Sequence, residues 1–494
     1  MMRTEQREYD AVVVGAGPNG LAAAILLQQQ GLSVLLLESS KEIGGGLRTA
    51  ELTLPGFHHD VCSAIHPLAA GSPFFKSLPL KERGLEFISP ALAAAHPFDD
   101  GTAAVLSQSL SDTAHMLGAD SKPYLDLMQP IVEDWPLLIP EILGPLHIPR
   151  HPLVMARFGV KALQSATWLS RRFATQQAKG LFGGMAAHSI HPLSNLTTSA
   201  IALVLMAAAH REDWPIPKGG SFRIAEALAS YFVSLGGLIE RNFHVTSLQQ
   251  LPSARAVLFD ITPRQLLQIA GHRFSSLYRR QLEKYRYGMG VFKIDWALDT
   301  PIPFRAEAAR QAGTVHLGNT FDEIAWSEQQ SAGGKIVDKP FVLLAQQSLF
   351  DNTRAPQGKH TAWAYCHVPN GSGADMTNAI EKQVERFAPG FRERILGRHV
   401  MDTAQMEAYN PNYIGGDING GIIDIGQLFT RPALRYSPYR SSAKGLYICS
   451  SSTPPGGGVH GMCGYHAARR ALRDIFKIDP GLVPSQASRK NIAG

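Results

Sequence analysis

Gly15, Gly17 and Gly20 form G-x-G-x-x-G, and an acid, Glu38, follows 18 positions after Gly20. Each part of that pattern has a physical use. The first glycine permits a tight turn, the second lets backbone approach a pyrophosphate, and the third lets a helix pack on its strand. The helix N-terminus then offers unpaired N–H groups and the positive end of its dipole to phosphate oxygens. Glu38 is placed to accept hydrogen bonds from ribose hydroxyls. The chemistry implied is the binding of a dinucleotide, and the motif alone does not separate FAD from NAD.

Two further stretches carry bare backbone. Gly44, Gly45 and Gly46 precede Arg48, and together they could line the same pyrophosphate, with Arg48 as its cation. The alternative is a flexible turn with a solvated arginine. Near the C-terminus, TPPGGGVHG spans 453–461 and repeats the glycine spacing at Gly456, Gly458 and Gly461. No second strand ending in an acid follows it. It reads as a loop and helix N-terminus closing over the far end of a cofactor, or as a hairpin of structural use only.

Polar candidates for touching substrate or cofactor are His66 in SAIHP and His460 in GGGVHG. Hydride transfer to a cofactor needs apposition and a dry pocket more than a named acid or base. The four cysteines, Cys62, Cys366, Cys449 and Cys463, show no C-x-x-C spacing. They read as buried thiols of a reducing compartment, and no metal site is expected.

The elements that must position these residues can be read around them. YDAVVV at 9–14 is a buried parallel strand, LAAAILLQQQ at 21–30 a helix and SVLLL at 33–37 a second strand. Strand, helix, strand and acid in register give the glycine triplet its force. A third piece spans 214–265. Lys218 to Gly220 is a turn, Ser221 an N-cap and 222–235 an amphipathic helix, followed by short strands at 238–240 and 244–248 and a strand at 256–260. This piece returns the chain to the first sheet. GLYICS at 445–450 is a strand, 462–472 a helix and 473–494 a tail.

The expected fold is α/β: a Rossmann-type, doubly wound dinucleotide-binding domain built from non-contiguous segments, with an inserted α+β substrate lobe. The binding domain takes 1–95, 214–290 and 411–494. The lobe takes 96–213 and 291–410.

Composition bounds the rest. The chain has 494 residues, 45% of them apolar and 18% charged, which excludes a largely disordered chain. A net charge of +6 is mild at this length, and no nucleic-acid partner is expected. The longest apolar run, 200–209, is too short to span a bilayer. The charged start, MMRTEQREYD, is not a secretory signal. From Ile142 through Arg211, 70 residues, there is no Asp or Glu but seven Lys or Arg. Residues 152–173 read as one amphipathic helix flanked by cations and Trp168. That suits peripheral membrane contact through 150–173, or a helix packed on its own lobe with solvated arginines.

Across essentially the whole chain the sequence resembles flavin-dependent oxidoreductases of the phytoene desaturase (carotenoid desaturase) type. The matching pieces are VVVGAGPNGLAAA, GGGLRT, PKGGSFRIAEAL, the stretch around His244 to Thr246, and GLYICSSSTPPGGGVHGMCGYHAA. NPNYIGGDINGG at 410–421, with TPPGGGVHG, is similar to the narrower phytoene-dehydrogenase-related branch, which includes the mitochondrial pyridine nucleotide-disulphide oxidoreductase domain-containing protein 2. Disulfide reduction has no support here, because C-x-x-C and a second nucleotide fold are both missing from the sequence.

The resemblance implies non-covalent FAD, with Gly15, Gly17, Gly20, Glu38, Arg48 and Val245 on its ADP half. It implies Gly457, Gly458, Val459 and Met462 near the flavin or its ribityl chain. One departure stands out: where many such flavoproteins carry an acid for the ribityl hydroxyls, this chain has Ser450 to Thr453.

Three functions fit: a dehydrogenase or desaturase of an apolar isoprenoid- or polyene-like substrate, an oxidase or dehydrogenase of an amine-like small molecule, or a low-turnover regulatory flavoprotein. An apolar tunnel favours the first and an aromatic cage or carboxylate the second. A closed flavin face favours the third. The expected location is cytoplasmic, partly on membranes, or the mitochondrial matrix for a eukaryotic source.

Overall fold

The computed structural model describes residues 8–481. Two sheets dominate it. The first has five parallel strands in the order Leu446–Ile448, Ala254–Phe259, Tyr9–Val14, Val34–Leu37, Leu238–Glu240. Val12 and Val13 are both fully buried, as expected for a strand covered on both faces. The helix Pro18–Gln29 begins with proline in its first turn, where a missing N–H costs nothing. Its small residues admit a close neighbour. The helix Met462–Ala471 crosses it at Gly464, where any Cβ would overlap the Asn19 carbonyl. The helix Phe222–Ser234 packs on the same layer.

The second sheet has seven strands, ordered Ile395–Met401, Gly290–Leu298, His360–Val368, Val342–Ala345, Ala312–Leu317, Leu92–Pro97, Ala103–Leu106. All neighbours are antiparallel except Ala312–Leu317 with Leu92–Pro97. Alternation divides its side chains between two faces. One face carries Ile294, Trp296, Val315, Leu344 and Ala364, covered by Ile380, Val384 and Phe387 of the helix Thr377–Phe387. The other carries two rows: Lys293, Tyr365, Leu343, His316, and Asp295, Trp363, Ala345, Thr314. This second face looks toward the five-stranded domain.

Four readings of the sequence differ from the structure. The boundaries at 95/96 and 290/291 cut through the strands Leu92–Pro97 and Gly290–Leu298, which belong wholly to the second sheet. Residues 244–248 are not a strand. The amides of Thr246 and Ser247 donate to the Gln250 side chain, which takes them out of any ladder. Residues 152–173 are not one helix. Pro152–Ala162 stops, and a new turn Ala166–Leu169 starts from a Ser165 cap. The Ala166 amide is taken by Thr198 Oγ1. The expected tail is partly ordered, continuing the last helix through Phe476. Residues 482–494, and the first seven on which the targeting expectation rests, lie outside the described residues.

The two sheets are joined through Asp60, which has no exposed surface. Its Oδ1 accepts from Thr49 Oγ1 and the Ser221 amide, both at 2.8 Å, and its Oδ2 from Arg354 Nη2 at 2.6 Å. Burial alone would raise its carboxyl; the Arg354 guanidinium and these hydrogen bonds hold it below the ordinary carboxylate value. Arg354 is equally buried.

Replacing Arg354 by Met leaves a charge stranded in the interior, so the expected loss is about 3–5 kcal/mol. Thermal and urea unfolding should show it, and Asp60→Leu added to Arg354→Met should restore much of the loss. A single variant as stable as the parent would refute the role of this pair.

Candidate dinucleotide and substrate cavity

Between the sheets runs a cavity of about 670 Å³, within the range of small-molecule sites. One end is walled by the glycine loops and by the carboxyl ends of the parallel strands, where open α/β sheets hold their ligands. Gly15, Gly17, Glu38, Gly45, Gly46, Arg48, Val245, Gly457, Gly458 and Val459 all line it.

The amides of Gly17, Asn19, Gly45 and Gly46 have no acceptor among the described residues. They gather because the loops are stitched together: the Gly44 amide donates to the Ala16 carbonyl at 2.8 Å. A Cβ on Gly45 would stand 3.3 Å from the Gly17 Cα. Free amides beside a helix N-terminus are a phosphate site. Glu38 ends the strand Val34–Leu37 and is 5% exposed. Its carboxylate takes the Ala16 and Ser40 amides, each at 2.9 Å, and still lines the cavity. Arg48 is held by the Glu42 carbonyl at 2.9 Å and lies over the Tyr409 ring.

Four expected residues do not line the cavity, and one of them, Gly20, keeps the packing role its motif gives it. Gly20 serves packing, as any Cβ there would overlap the Gly15 carbonyl. Met462 is buried in the first turn of its helix. His66 bonds to Ser221 Oγ at 2.8 Å, and His460 takes the Met462 amide on Nδ1 at 3.0 Å. Neither histidine lines the cavity. Burial pushes each down to about 4, so both are neutral groups of the framework.

Gly17 has a different constraint from the one its motif suggests. A Cβ there would meet Asp260 Oδ2 at 2.8 Å. Asp260 follows the strand Ala254–Phe259, lines the cavity and accepts the Gly20 amide at 2.9 Å. The sequence reading missed it, though an acid just past a parallel strand of this sheet was a usable signal. The segment 409–413, most of which the sequence marks only through the resemblance at 410–421, also packs against the glycine loops and Asp260. There Tyr409 Oη donates to the Gly45 carbonyl at 2.8 Å, and Asn412 Nδ2 to the Asp260 carbonyl at 3.2 Å.

The far end of the cavity is apolar. Ile65, Pro67, Leu68, Ile190, Ile201, Val204, Leu205 and Leu343 wall it, with Trp214, Trp363 and Tyr365, and His188 and Thr314 are its polar members. The lining carboxylates Glu38, Asp260 and Glu407 belong to the nucleotide end, with its glycine loops, Arg48 and Tyr409. Trp363 and Tyr365 lie against each other, ring centroids 5.5 Å apart and 19° from parallel, which leaves no gap for a ligand between them.

The fold is that of a Rossmann-type domain, which fits a dinucleotide cofactor, joined to a second, seven-stranded sheet. Residues 13–77 match the NAD(P)-binding Rossmann-like domain. Homologues include the pyridine nucleotide-disulfide oxidoreductase domain-containing protein 2 of Mus musculus, 26% identical, with 95% of this chain and 94% of that protein aligned. They also include the neurosporene-forming phytoene desaturase of Rhodobacter capsulatus, 24% identical over 92% of each. Among solved structures, an oxidoreductase from Methanosarcina mazei superposes with a TM-score of 0.61 at 15% identity, over 94% of this chain and 99% of that one. Putrescine oxidase bound to putrescine does so at 0.60 and 16%, over 96% and 100%.

Burial pushes the Asp260 carboxyl up to about 7, opposed by the Gly20 amide and aided by the Glu38 charge. Its folded value thus lies above its unfolded value of about 3.9. The folded chain holds this proton where the unfolded chain has lost it. That contribution to stability is complete at acid pH and is lost as pH rises through about 7. Asp260→Asn keeps an acceptor for the Gly20 amide, so it should raise the melting temperature at pH 8 and much less at pH 4, with pH set by buffer exchange. An equal shift at both would remove Asp260 from the account.

Proposed function

We propose that this chain is an FAD-dependent oxidoreductase, a dehydrogenase or desaturase that withdraws a hydride from an apolar isoprenoid- or polyene-like substrate. The observation that carries the reading is the continuity of one cavity, from a phosphate- and ribose-binding end to an apolar end. Bound FAD supplies the hydride acceptor. The free amides of Gly17, Asn19, Gly45 and Gly46 and the Arg48 cation suit its pyrophosphate, and Glu38 its ribose. Phe243, Val245 and Ile269 offer an apolar slot on the same side. The Ile201, Val204 and Leu205 wall excludes water and binds substrate through burial of apolar surface. The phytoene desaturase among the homologues supports an apolar substrate. An amine would call for a carboxylate or facing aromatic rings at the apolar end, and the cavity wall there offers neither.

The purified protein is expected to be yellow and to release FAD, not FMN, on denaturation. Glu38→Ala removes charge-assisted hydrogen bonds worth about 1.5–3 kcal/mol each, so FAD affinity should fall at least about tenfold by fluorescence titration. Unchanged affinity would refute the ribose role.

The reading includes peripheral contact with an anionic membrane through 150–173 and its neighbours. No helix among the described residues is long and apolar enough to cross a membrane. Yet Leu146, Ile148, Leu153, Val160, Leu163, Trp168 and Leu196 are exposed, Ile148 at 91% and Leu153 at 85%. Arg171 lies over the Trp168 ring at 4.7 Å. Arg157 pairs with Asp134, and Lys161 reaches the Leu127 carbonyl, so those two cations are partly committed to the fold. The patch sits beside the cavity wall: the Thr197 amide donates to the Leu163 carbonyl just before the helix Thr198–Glu212, which supplies Ile201, Val204 and Leu205.

Each buried methylene adds about 0.8 kcal/mol and each nearby cation about 1 kcal/mol to membrane binding. Changing Leu153, Val160 and Trp168 together to Ser should abolish sedimentation with phosphatidylglycerol vesicles while FAD content stays constant. Equal sedimentation of parent and variant would leave a helix packed on its own lobe as the correct reading.

A further inference from the structure

The apolar end of the cavity carries polar edges that burial of a hydrocarbon would leave unsatisfied. His188 caps the helix Gln176–Ala187 and lines the cavity. Its Nε2 lies 2.9 Å from Nε2 of His316, so one ring donates and the other accepts. Nδ1 of His188 has no partner among the described residues. Trp363 contributes to the wall of the same cavity, but its indole nitrogen is sealed from it and has no acceptor among the described residues. That leaves His188 as the polar group that a hydrocarbon ligand would strip of water without replacing the hydrogen bond, which is costly.

The surroundings fix His188 in place. A Cβ on Gly184 would stand 2.6 Å from His316 Nδ1, and one on Gly180 2.8 Å from His96 Nε2. The helix therefore reaches the sheet closely enough for the His188–His316 bond only because those positions lack side chains. Ile190 has a φ of 52° and Val459 of 55°, a region that β-branched residues rarely occupy, and both line the cavity. Such conformations concentrate at ligand sites. Behind His316 the ring of Phe341 separates it from His367, which pairs with the buried Glu328 at 2.8 Å. Burial, with the like charge of His367, pushes His188 down to about 3. It is a neutral hydrogen-bonding group.

We propose that His188 binds oxygen on the ligand, so that the substrate class is an apolar, isoprenoid-like molecule bearing a hydroxyl or carbonyl. This rests on the apolar-substrate reading above and narrows it. The His188 Nδ1 accepts from a hydroxyl or donates to a carbonyl or hydroxyl oxygen according to tautomer. A carboxylate has no cation to meet at this end of the lining, and an ammonium has no carboxylate. Lys293, near the Trp363 ring, is already paired with Asp295 at 2.5 Å.

Calorimetric titration of the FAD-loaded protein with farnesol, farnesal and the matching hydrocarbon lacking oxygen tests this. The oxygenated ligands should bind at least about tenfold more tightly than the hydrocarbon, because a site with buried polar groups rejects the analogue that leaves them unpaired. His188→Phe should erase most of that preference while hydrocarbon affinity changes little. Trp363→Phe, which keeps an aromatic ring in the wall, should leave the preference in place. Equal affinity of the parent for all three ligands overturns this inference and leaves the apolar reading intact. A full preference retained by His188→Phe also overturns it. Binding of none of the three overturns the apolar reading and this inference together.

Discussion

A carboxylate sealed from water sets the relation between the two halves of the molecule. Asp60 cannot remain ionised in the interior without donors to replace its hydration. The donors come from three parts of the chain: Thr49 in the hairpin that also holds Asp60, the Ser221 amide at the start of the helix Phe222–Ser234, and Arg354 in the connection between the strands Val342–Ala345 and His360–Val368 of the second sheet. Satisfying one charge therefore fixes the glycine loops, the returning segment and the seven-stranded sheet against one another. The cavity is the space left between them. Its floor is one face of the second sheet and its roof the carboxyl edge of the first.

That arrangement explains the gradient of polarity along the cavity. Parallel strands end in loops whose amides are not used by the ladder, so their edge is rich in donors. Gly17, Gly45 and Glu38 stand there. An antiparallel sheet uses its amides internally and presents only side chains. Its cavity face presents Leu343, Tyr365, Trp363 and Thr314, which is why that end is apolar except at chosen points. The helix Thr198–Glu212 closes the wall. The exposed patch beyond it, from Leu146 to Leu196, belongs to the same acid-free stretch of chain.

Much of the nucleotide end was legible because its determinants are local. The turn at Gly15, the helix after Pro18 and the acid closing the next strand lie within 24 positions, from 15 to 38, and each follows from the conformation its own residues allow. The Gly44 to Gly46 loop and the Gly457 to Val459 loop were found by the same signal, a lack of side chains where backbone must come close. Histidine is a weaker signal. His66 and His460 are the polar candidates that the sequence offers, yet each turns into the framework, held by Ser221 and by the Met462 amide. His188, far from any motif, faces the cavity instead.

The sequence by itself determined the βαβ unit, its glycine loop and Glu38, because these depend on residues a few turns apart whose φ/ψ preferences and periodicity are written in order. It also determined the exclusion of acids from 142–211. Tertiary structure alone decided which face of each strand meets the cavity, and that Asp260 rather than phosphate crowds Gly17. It likewise put Trp363, Tyr365 and His188 on the wall of one cavity. Those outcomes depend on register between strands remote in sequence and on where a helix comes to rest on a sheet. A one-residue slip would exchange the two faces, and no local preference specifies against it.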